Sequence, residues 1–172
     1  PDGLGGYEAA KADFAEMSQL DREDKAIELM KEAGYGEGGK PLNIEIRYNT
    51  NPNHERVATA VADMWKNTFG ANVTMTNLDV ASHYAYLQEG GAFNVARAGW
   101  VADYADAENF LALNVSTNTS FNYGKYNNPE FDALMAKSYT EGDADDRKKI
   151  LHVAVVILMR DQPISPLIRT AN

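Results

Sequence analysis

The chain of 172 residues contains no cysteine. Disulfide bonds, thiolate metal sites and cysteine nucleophiles are therefore excluded, and the redox compartment is left open. Basic residues are also few, because 16 lysines and arginines stand against 25 acids and give a net charge of -9. This balance argues against nucleic acid as a partner and disfavours binding to anionic membrane surfaces.

Long apolar runs are missing as well, since the longest, at residues 153–159, is far too short to cross a membrane. The first residues are rich in glycine and show no signal peptide. This start is typical of a loop cut open, so we expect the chain to be a fragment. With 44% hydrophobic residues, the chain is long enough for one domain with a real core.

Hydrophobic spacing predicts alternating strands and helices in the first part of the chain. Strands are predicted at residues 42–48, 73–77 and 93–98, and helices at 21–33, 57–69 and 81–88. This order implies right-handed crossovers and a mainly parallel sheet flanked by helices, which is an α/β fold. Trp65 lies on the apolar stripe of the second helix, and we expect it to be buried.

Helices predominate in the prediction for the rest of the chain. A short helix is expected at residues 107–113. Asn128 and Pro129 form a strong helix start, because an N-cap residue precedes a proline at the first helical position. Another helix opens at residues 143–146. The prolines of residues 163–168 indicate a last strand at a sheet edge or a strand start.

The residues that usually carry catalysis or bind metals show no productive spacing. His54, His83 and His152 lie far apart in the sequence, and none has a second ligand at helical spacing. The sequence has no nucleophile elbow and no glycine-rich phosphate loop. We therefore predict no catalytic residues, no metal site and no cofactor.

The most informative segment is FNVARAGWVADY, at residues 93–104. An alternating strand ends there in a glycine, an aromatic residue and an acid, and open α/β sheets bind ligands beyond such strand ends. Arg97 and Asp103 supply opposite charges, while Trp100 and Tyr104 supply flat apolar walls. These groups suit a zwitterionic ligand such as a short peptide. Residue types alone also allow a surface loop with a structural tryptophan and an exposed ion pair.

Five motifs in sequence order resemble those of one protein family. They are LD, KA and EAGY within residues 20–35, LNIEIRYN at 42–49, FNVARAGWVADY at 93–104 followed by Asp106 and NFL, YNNPEFD at 126–132, and DQPI with Pro166. Together they cover nearly the whole chain. On these motifs the chain resembles the C-terminal lobe of the oligopeptide- and dipeptide-binding receptors of bacterial ABC importers.

The resemblance implies a lobe like that of a type II periplasmic binding protein, in a two-lobed clamp that encloses a peptide. Residues 1–172 would form this single lobe, and residues 1–20 an inter-lobe or leading loop. The implied partners are a short peptide, the ABC permease and the missing N-terminal lobe. The implied location is the periplasm, or the outside of a membrane that anchors a lipoprotein. Such a receptor captures its ligand and catalyses nothing.

The resemblance also implies roles for single residues. In the family, the acid that matches Asp103 holds the ammonium group of the peptide, and the tryptophan that matches Trp100 lines a side-chain pocket. The arginine that matches Arg97 can reach the carboxylate of peptides of certain lengths. Some receptors have a second arginine where this chain has Gln88, so Gln88 is a candidate at the same site.

The chain departs from the family motifs at two further positions, and three alternative functions remain open. Asn94 stands where the family usually has aspartate, and Val101 where some members have cysteine. Family relatives that capture nickel, sugars or opines give one alternative ligand class. A small α/β enzyme using Asp103 as a base is a second interpretation, and a structural or interaction domain without a small ligand is a third.

Overall fold

The structure is a computed structural model that describes residues 10–36 and 38–167. Internal contacts divide the chain into two compact units. The sheet unit is Glu16–Gly99, and the helical unit combines Pro1–Ala15 with Trp100–Asn172. The α/β part of the chain thus lies in the sheet unit.

The sheet unit contains a three-stranded parallel sheet of strand order β2-β1-β3. Its elements are α1 (Gln19–Glu32), β1 (Asn43–Asn49), α2 (Pro52–Phe69), β2 (Asn72–Leu78), α3 (Val80–Gln88) and β3 (Val95–Ala96). β1 is the central strand and pairs with both of the others. The predicted α/β fold with a mainly parallel sheet is confirmed.

Alternation along β1 separates an apolar face of the sheet from a polar one. Ile46 and Tyr48 are buried in a cluster with Ala62 of α2. Arg47 points to the other face, because successive strand residues alternate in direction. The Arg47 guanidinium carbon lies 4.2 Å from the ring centroid of Tyr86 in α3. Helices therefore cover both faces of the sheet.

Capping residues fix the helix boundaries. The Asn51 side chain accepts a hydrogen bond from the Asn53 amide at 2.8 Å, directly before Pro52 opens α2. Gly70 ends α2 in the left-handed conformation, with φ of 64°, which glycine adopts without steric cost. Asp79 caps α3 by accepting from the Ser82 amide at 3.0 Å.

The helical unit is organised around two long helices that pack on each other. Its elements are α4 (Glu108–Leu111), a 3-10 turn (Ala112–Asn114), α5 (Pro129–Thr140) and α6 (Ala144–Asp161). Phe131 and Met135 of α5 are fully buried against Leu151 and Ala154 of α6. Asn128 caps α5 as expected, because its side-chain oxygen accepts from two amides of the first turn.

Two strand predictions differ from the structure. The third strand was expected at residues 93–98 but comprises only Val95–Ala96. The Asn94 side chain accepts from the Glu45 amide at 2.9 Å, so a side chain takes the place of a ladder bond there. The predicted last strand at residues 163–168 is wrong for its described part, since 163–167 form no strand. Proline lacks the amide proton that a ladder needs.

Two further predictions, the burial of Trp65 and the leading loop, agree only in part with the structure. Trp65 was expected to be buried, but it is half-buried and packs against the edge of the cluster around Ile46. Of the predicted leading loop, residues 1–9 lie outside the described part of the chain. Residues 10–18 form loop and turn, and α1 begins at Gln19.

The α5–α6 core generates a prediction about stability. Phe131 has no exposed surface, so Phe131→Ala should lower the free energy of unfolding by about 3–5 kcal/mol, through lost burial and a cavity. Val153 lies on the same pair of helices but is 44% exposed, and Val153→Ala should change the same quantity by less than about 0.5 kcal/mol. Urea denaturation measures both values, and equal losses would contradict this core.

Candidate binding site

The five predicted site residues are divided between the two units. Gln88 and Arg97 belong to the sheet unit, and Trp100, Asp103 and Tyr104 belong to the helical unit. Gln88 is exposed at the C-terminal end of α3. The other four lie on the segment that follows β3 along the chain.

The Arg97 side chain is held by neutral partners. Its Nη1 donates to Asn49 Oδ1 at 3.0 Å and to the Tyr84 hydroxyl at 3.0 Å. Its backbone amide donates to the Arg47 carbonyl at 2.7 Å, and its carbonyl lies 2.8 Å from Nε2 of the buried His83. Within residues 10–36 and 38–167, no carboxylate forms an ion pair with Arg97. Its positive charge is fixed in place without being neutralised there.

Gly99 gives the Arg97 guanidinium the space it occupies. A Cβ atom at position 99 would lie 2.8 Å from Arg97 Nη2, closer than real Cβ atoms approach a heavy atom. A side chain at position 99 would therefore require the Arg97 guanidinium to shift, and this close approach is consistent with the glycine of the ARAG motif. The spacing of arginine and glycine in the motif thus corresponds to a contact between the two residues in the sheet unit.

Trp100 is anchored on two sides within the helical unit. Its indole Nε1 donates to Asn109 Oδ1 at 2.7 Å. Its ring meets Phe121 edge to face, with centroids 5.0 Å apart, and Phe121 contacts Tyr123 in the same manner at 6.5 Å. Trp100 remains half-buried, so part of the ring is accessible to a ligand.

Asp103 combines a fixed backbone with an exposed side chain. Its amide donates to Asn109 Oδ1 at 3.3 Å, and the residue itself is exposed. In the described ranges of the chain, no hydrogen bond or ion pair reaches the Asp103 carboxylate. This carboxylate can therefore accept a cation without first losing a partner.

Tyr104 offers more than the apolar surface that the sequence predicted, because its hydroxyl is hydrogen-bonded. Its hydroxyl donates to Glu108, which is buried and also accepts from the Tyr139 hydroxyl at 2.6 Å. Burial and the hydrogen bond to Glu108 raise the pKa of Tyr139 to about 12. Two tyrosines thus satisfy one buried carboxylate, and the half-exposed ring of Tyr104 is held by its polar end.

An ion pair fixes the start of α4. Arg147 of α6 donates to both carboxylate oxygens of Asp106, at 2.7 and 3.3 Å. Asp106 Oδ1 also accepts from the Glu108 amide at 2.8 Å. Burial opposes ionisation of Asp106, but the hydrogen bonds from Arg147 and Glu108 prevail and hold its pKa below the ordinary value. The loop that carries Asp103 is therefore tied to α6.

Sequence reasoning assigned no role to the polar residues that support the candidate residues, although Asn49, Asp106 and Asn109 lie in or beside the motifs that carry the family resemblance. Asn109, Glu108 and Asp106 lie within or next to a short helix, where few residues define no periodic pattern. Asn49 and Tyr84 are separated from Arg97 by 48 and 13 positions. Only the fold brings them together, and no local signal predicts such contacts.

The model of the family "Bacterial extracellular solute-binding proteins, family 5 Middle" matches residues 1–122. The chain belongs to this family of bacterial extracellular solute-binding proteins. Family membership places it among solute-binding proteins.

Several relatives are similar along nearly the whole chain. The periplasmic murein peptide-binding protein MppA of Escherichia coli is 37% identical over 172 residues, which is 100% of this chain and 32% of MppA. The periplasmic oligopeptide-binding protein OppA of Haemophilus influenzae is 42% identical over 161 residues, covering 92% of this chain and 29% of that protein. A probable deoxycholate-binding periplasmic protein of Escherichia coli, YgiS, is 30% identical over 167 residues.

Solved structures agree with the sequence relatives. The Escherichia coli murein tripeptide binding protein MppA matches with a TM-score of 0.87 at 36% identity, over 95% of this chain and 31% of that one. Haemophilus influenzae OppA in complex with RPPGFSPFR matches with a TM-score of 0.82 at 37% identity, over 89% and 30%. The type II periplasmic-binding-protein fold is confirmed, and the chain spans about a third of the length of these relatives.

No helix among the described residues is long and apolar enough to span a membrane. Within the same residues, no group of three or more histidine, aspartate or glutamate side chains is placed to hold a metal ion. Among the five candidate residues, the charged groups are the Arg97 guanidinium in the sheet unit and the Asp103 carboxylate in the helical unit.

The Asp106–Arg147 pair predicts a pH-dependent stability. Asp106→Asn should lower the free energy of unfolding by about 1.5–3 kcal/mol at neutral pH, the usual worth of hydrogen bonds to a charged group. The folded-state pKa of Asp106 is depressed. Its contribution is therefore complete above the unfolded pKa of about 3.9 and is lost as pH falls through the folded-state value.

Urea denaturation of the wild type and of Asp106→Asn over a series of pH values measures this difference. It should be largest near neutral pH and shrink through the acid range. Asp145→Asn is the matched control, because Asp145 is exposed and pairs with Lys148 at 3.4 Å, an arrangement worth little. A loss for Asp106→Asn that stays constant throughout the acid range would contradict the assignment.

Proposed function

We propose that the chain is one lobe of a two-lobed extracytoplasmic receptor that binds peptides for an ABC importer. The observation that carries the proposal is the exposed Asp103 carboxylate, which has no partner in the described part of the chain and stands near the half-buried Trp100 ring. A carboxylate without a counter-charge beside an aromatic surface suits the ammonium end of a peptide.

The remaining candidate residues have proposed roles in the same receptor. Arg97 offers a fixed guanidinium for a peptide carboxylate, because its own partners are the neutral Asn49 and Tyr84. Trp100 and Tyr104 offer aromatic surface to peptide side chains, and Gln88 offers a neutral amide where some receptors have a second arginine. No catalysis is proposed, and the receptor is proposed to act in the periplasm or as an anchored lipoprotein.

The relatives support a peptide as the ligand. The two relatives with the highest identities reported above are named as binding murein peptide and oligopeptide, and one similar structure holds the peptide RPPGFSPFR. The remaining lobe and the ABC permease are the proposed partners, since the chain spans about a third of these relatives.

A second candidate is a receptor for a solute without an amine. YgiS, which is named as a probable deoxycholate-binding protein, is 30% identical to this chain. A bile acid carries a carboxylate and no ammonium group, so it would use Arg97 and leave Asp103 unpaired. Calorimetric titration of the full-length protein with a tripeptide and with deoxycholate separates the two candidates.

The role proposed for Asp103 makes the first prediction for binding. In the full-length receptor, Asp103→Ala should weaken binding of peptides with a free amine by roughly 2–5 kcal/mol, as expected when one partner of an enclosed charge pair is removed. N-acetylated peptides should bind poorly to the wild type and be little affected by the change. Calorimetry gives both affinities.

A matched control is available in the sheet unit. Asp63 is exposed on α2, and Asp63→Ala should leave peptide affinity unchanged. If Asp103→Ala also keeps the affinity within about twofold, less than 0.5 kcal/mol, then Asp103 does not hold the amine.

The two-lobe proposal makes a prediction for the chain on its own. A clamp gains affinity by closing over charges and excluding water. If an intact receptor binds with a Kd of about micromolar and this chain supplies half of that free energy, the chain alone should bind at about millimolar. Titration of tri- to pentapeptides while amide NMR shifts are followed measures this. Saturation at low micromolar peptide would show that the chain is a complete binding module.

A further inference from the structure

One buried amide contacts two of the proposed ligand-binding residues. Asn109 is 7% exposed in α4. Its Oδ1 accepts from the Trp100 indole at 2.7 Å and from the Asp103 backbone amide at 3.3 Å. Both contacts lie within the helical unit.

The short helix that carries Asn109 is fixed by other contacts of the helical unit. The Asp106 carboxylate accepts from the Glu108 amide at the start of α4 and is paired with Arg147. Leu111, in the same short helix as Asn109, is buried in the core of the helical unit. The backbone of α4, which carries Asn109, is therefore held by its contacts with α6.

We propose that Asn109 is a positioning residue for ligand binding, which sets the ring orientation of Trp100 and the backbone of Asp103 before a ligand arrives. This inference rests on the proposed function, because Trp100 and Asp103 are its ligand contacts. A single oxygen shared by the two residues fixes the indole edge relative to the Asp103 backbone. Groups held in their bound geometry lose less conformational freedom on binding, and affinity rises accordingly.

The test compares substitutions of Asn109 in the full-length receptor. Asn109→Ala removes the shared acceptor, and the Kd for a free-amine tripeptide should rise by about fivefold to tenfold through lost preorganisation. Asn109→Asp retains an oxygen at the same place, so its Kd should stay closer to the wild-type value. The expected order of affinities is wild type, then Asn109→Asp, then Asn109→Ala.

An NMR signal tests the positioning separately from binding. The indole N–H resonance of Trp100 is the one that disappears in Trp100→Phe. In Asn109→Ala without ligand, this resonance should move upfield and exchange faster with water, because its acceptor is gone. In Asn109→Asp it should stay near the wild-type position. A purely structural role for Asn109 would not produce this difference between the two variants.

Asn128→Ala is the matched control. It removes an asparagine that also accepts from two amides, those of Glu130 and Phe131 in α5. This variant should lose stability while keeping peptide affinity and the Trp100 indole resonance. If Asn109→Ala does not fold, Asn109→Ser takes its place, since the shorter hydroxyl cannot reach both donors and should weaken binding likewise.

The possible failures are distinguishable. If the wild type binds peptide and Asp103→Ala weakens it, while Asn109→Ala keeps both affinity and indole resonance, the positioning role is overturned and the proposed function stands. If the wild type binds no peptide, the proposed function is overturned, and the positioning role for a ligand with it.

Discussion

The alternation of side chains along β1 is the constraint on which the sheet unit depends. As the central strand, β1 places Ile46 and Tyr48 in the cluster under α2. On the other face, Glu45 accepts from the Thr76 hydroxyl at 2.7 Å and from Arg47 Nε at 2.9 Å. A shift of one residue would exchange the two faces and bury the charges against α2. Register therefore decides both the core and the polar face.

The charged residues that support the candidate residues have partners within the protein, whereas the charged candidate residues themselves have no oppositely charged partner in the described part of the chain. Asp106 is paired with Arg147, and the buried Glu108 accepts from two tyrosine hydroxyls. By contrast, the described part of the chain offers Asp103 no partner and offers Arg97 only neutral ones. Buried charges need partners, whereas a charge that has none inside the protein is available to a ligand. This contrast follows from the local contacts of each unit alone.

Local sequence signals predicted the helices and strands, but they failed for features that depend on contacts between residues far apart in the sequence. The cap at Asn128 and the alternation in β1 are local, and both were found. The length of β3 depends on an Asn94 side chain that takes over a ladder bond, which no periodicity shows. The segment at 163–167 has strand-like composition without becoming a strand. At the site, the motif supplied Arg97, Trp100, Asp103 and Tyr104, but the acceptors Asn49 and Asn109 required the fold.

The close approach at Gly99 has an evolutionary consequence. The atom that a Cβ would meet is the end of a flexible side chain, Arg97 Nη2 at 2.8 Å. An alanine at this position would require the guanidinium, whose Nη1 donates to Asn49 and Tyr84, to shift. Positions 97 and 99 should therefore covary among homologues, with larger residues tolerated at 99 only where 97 is no longer arginine.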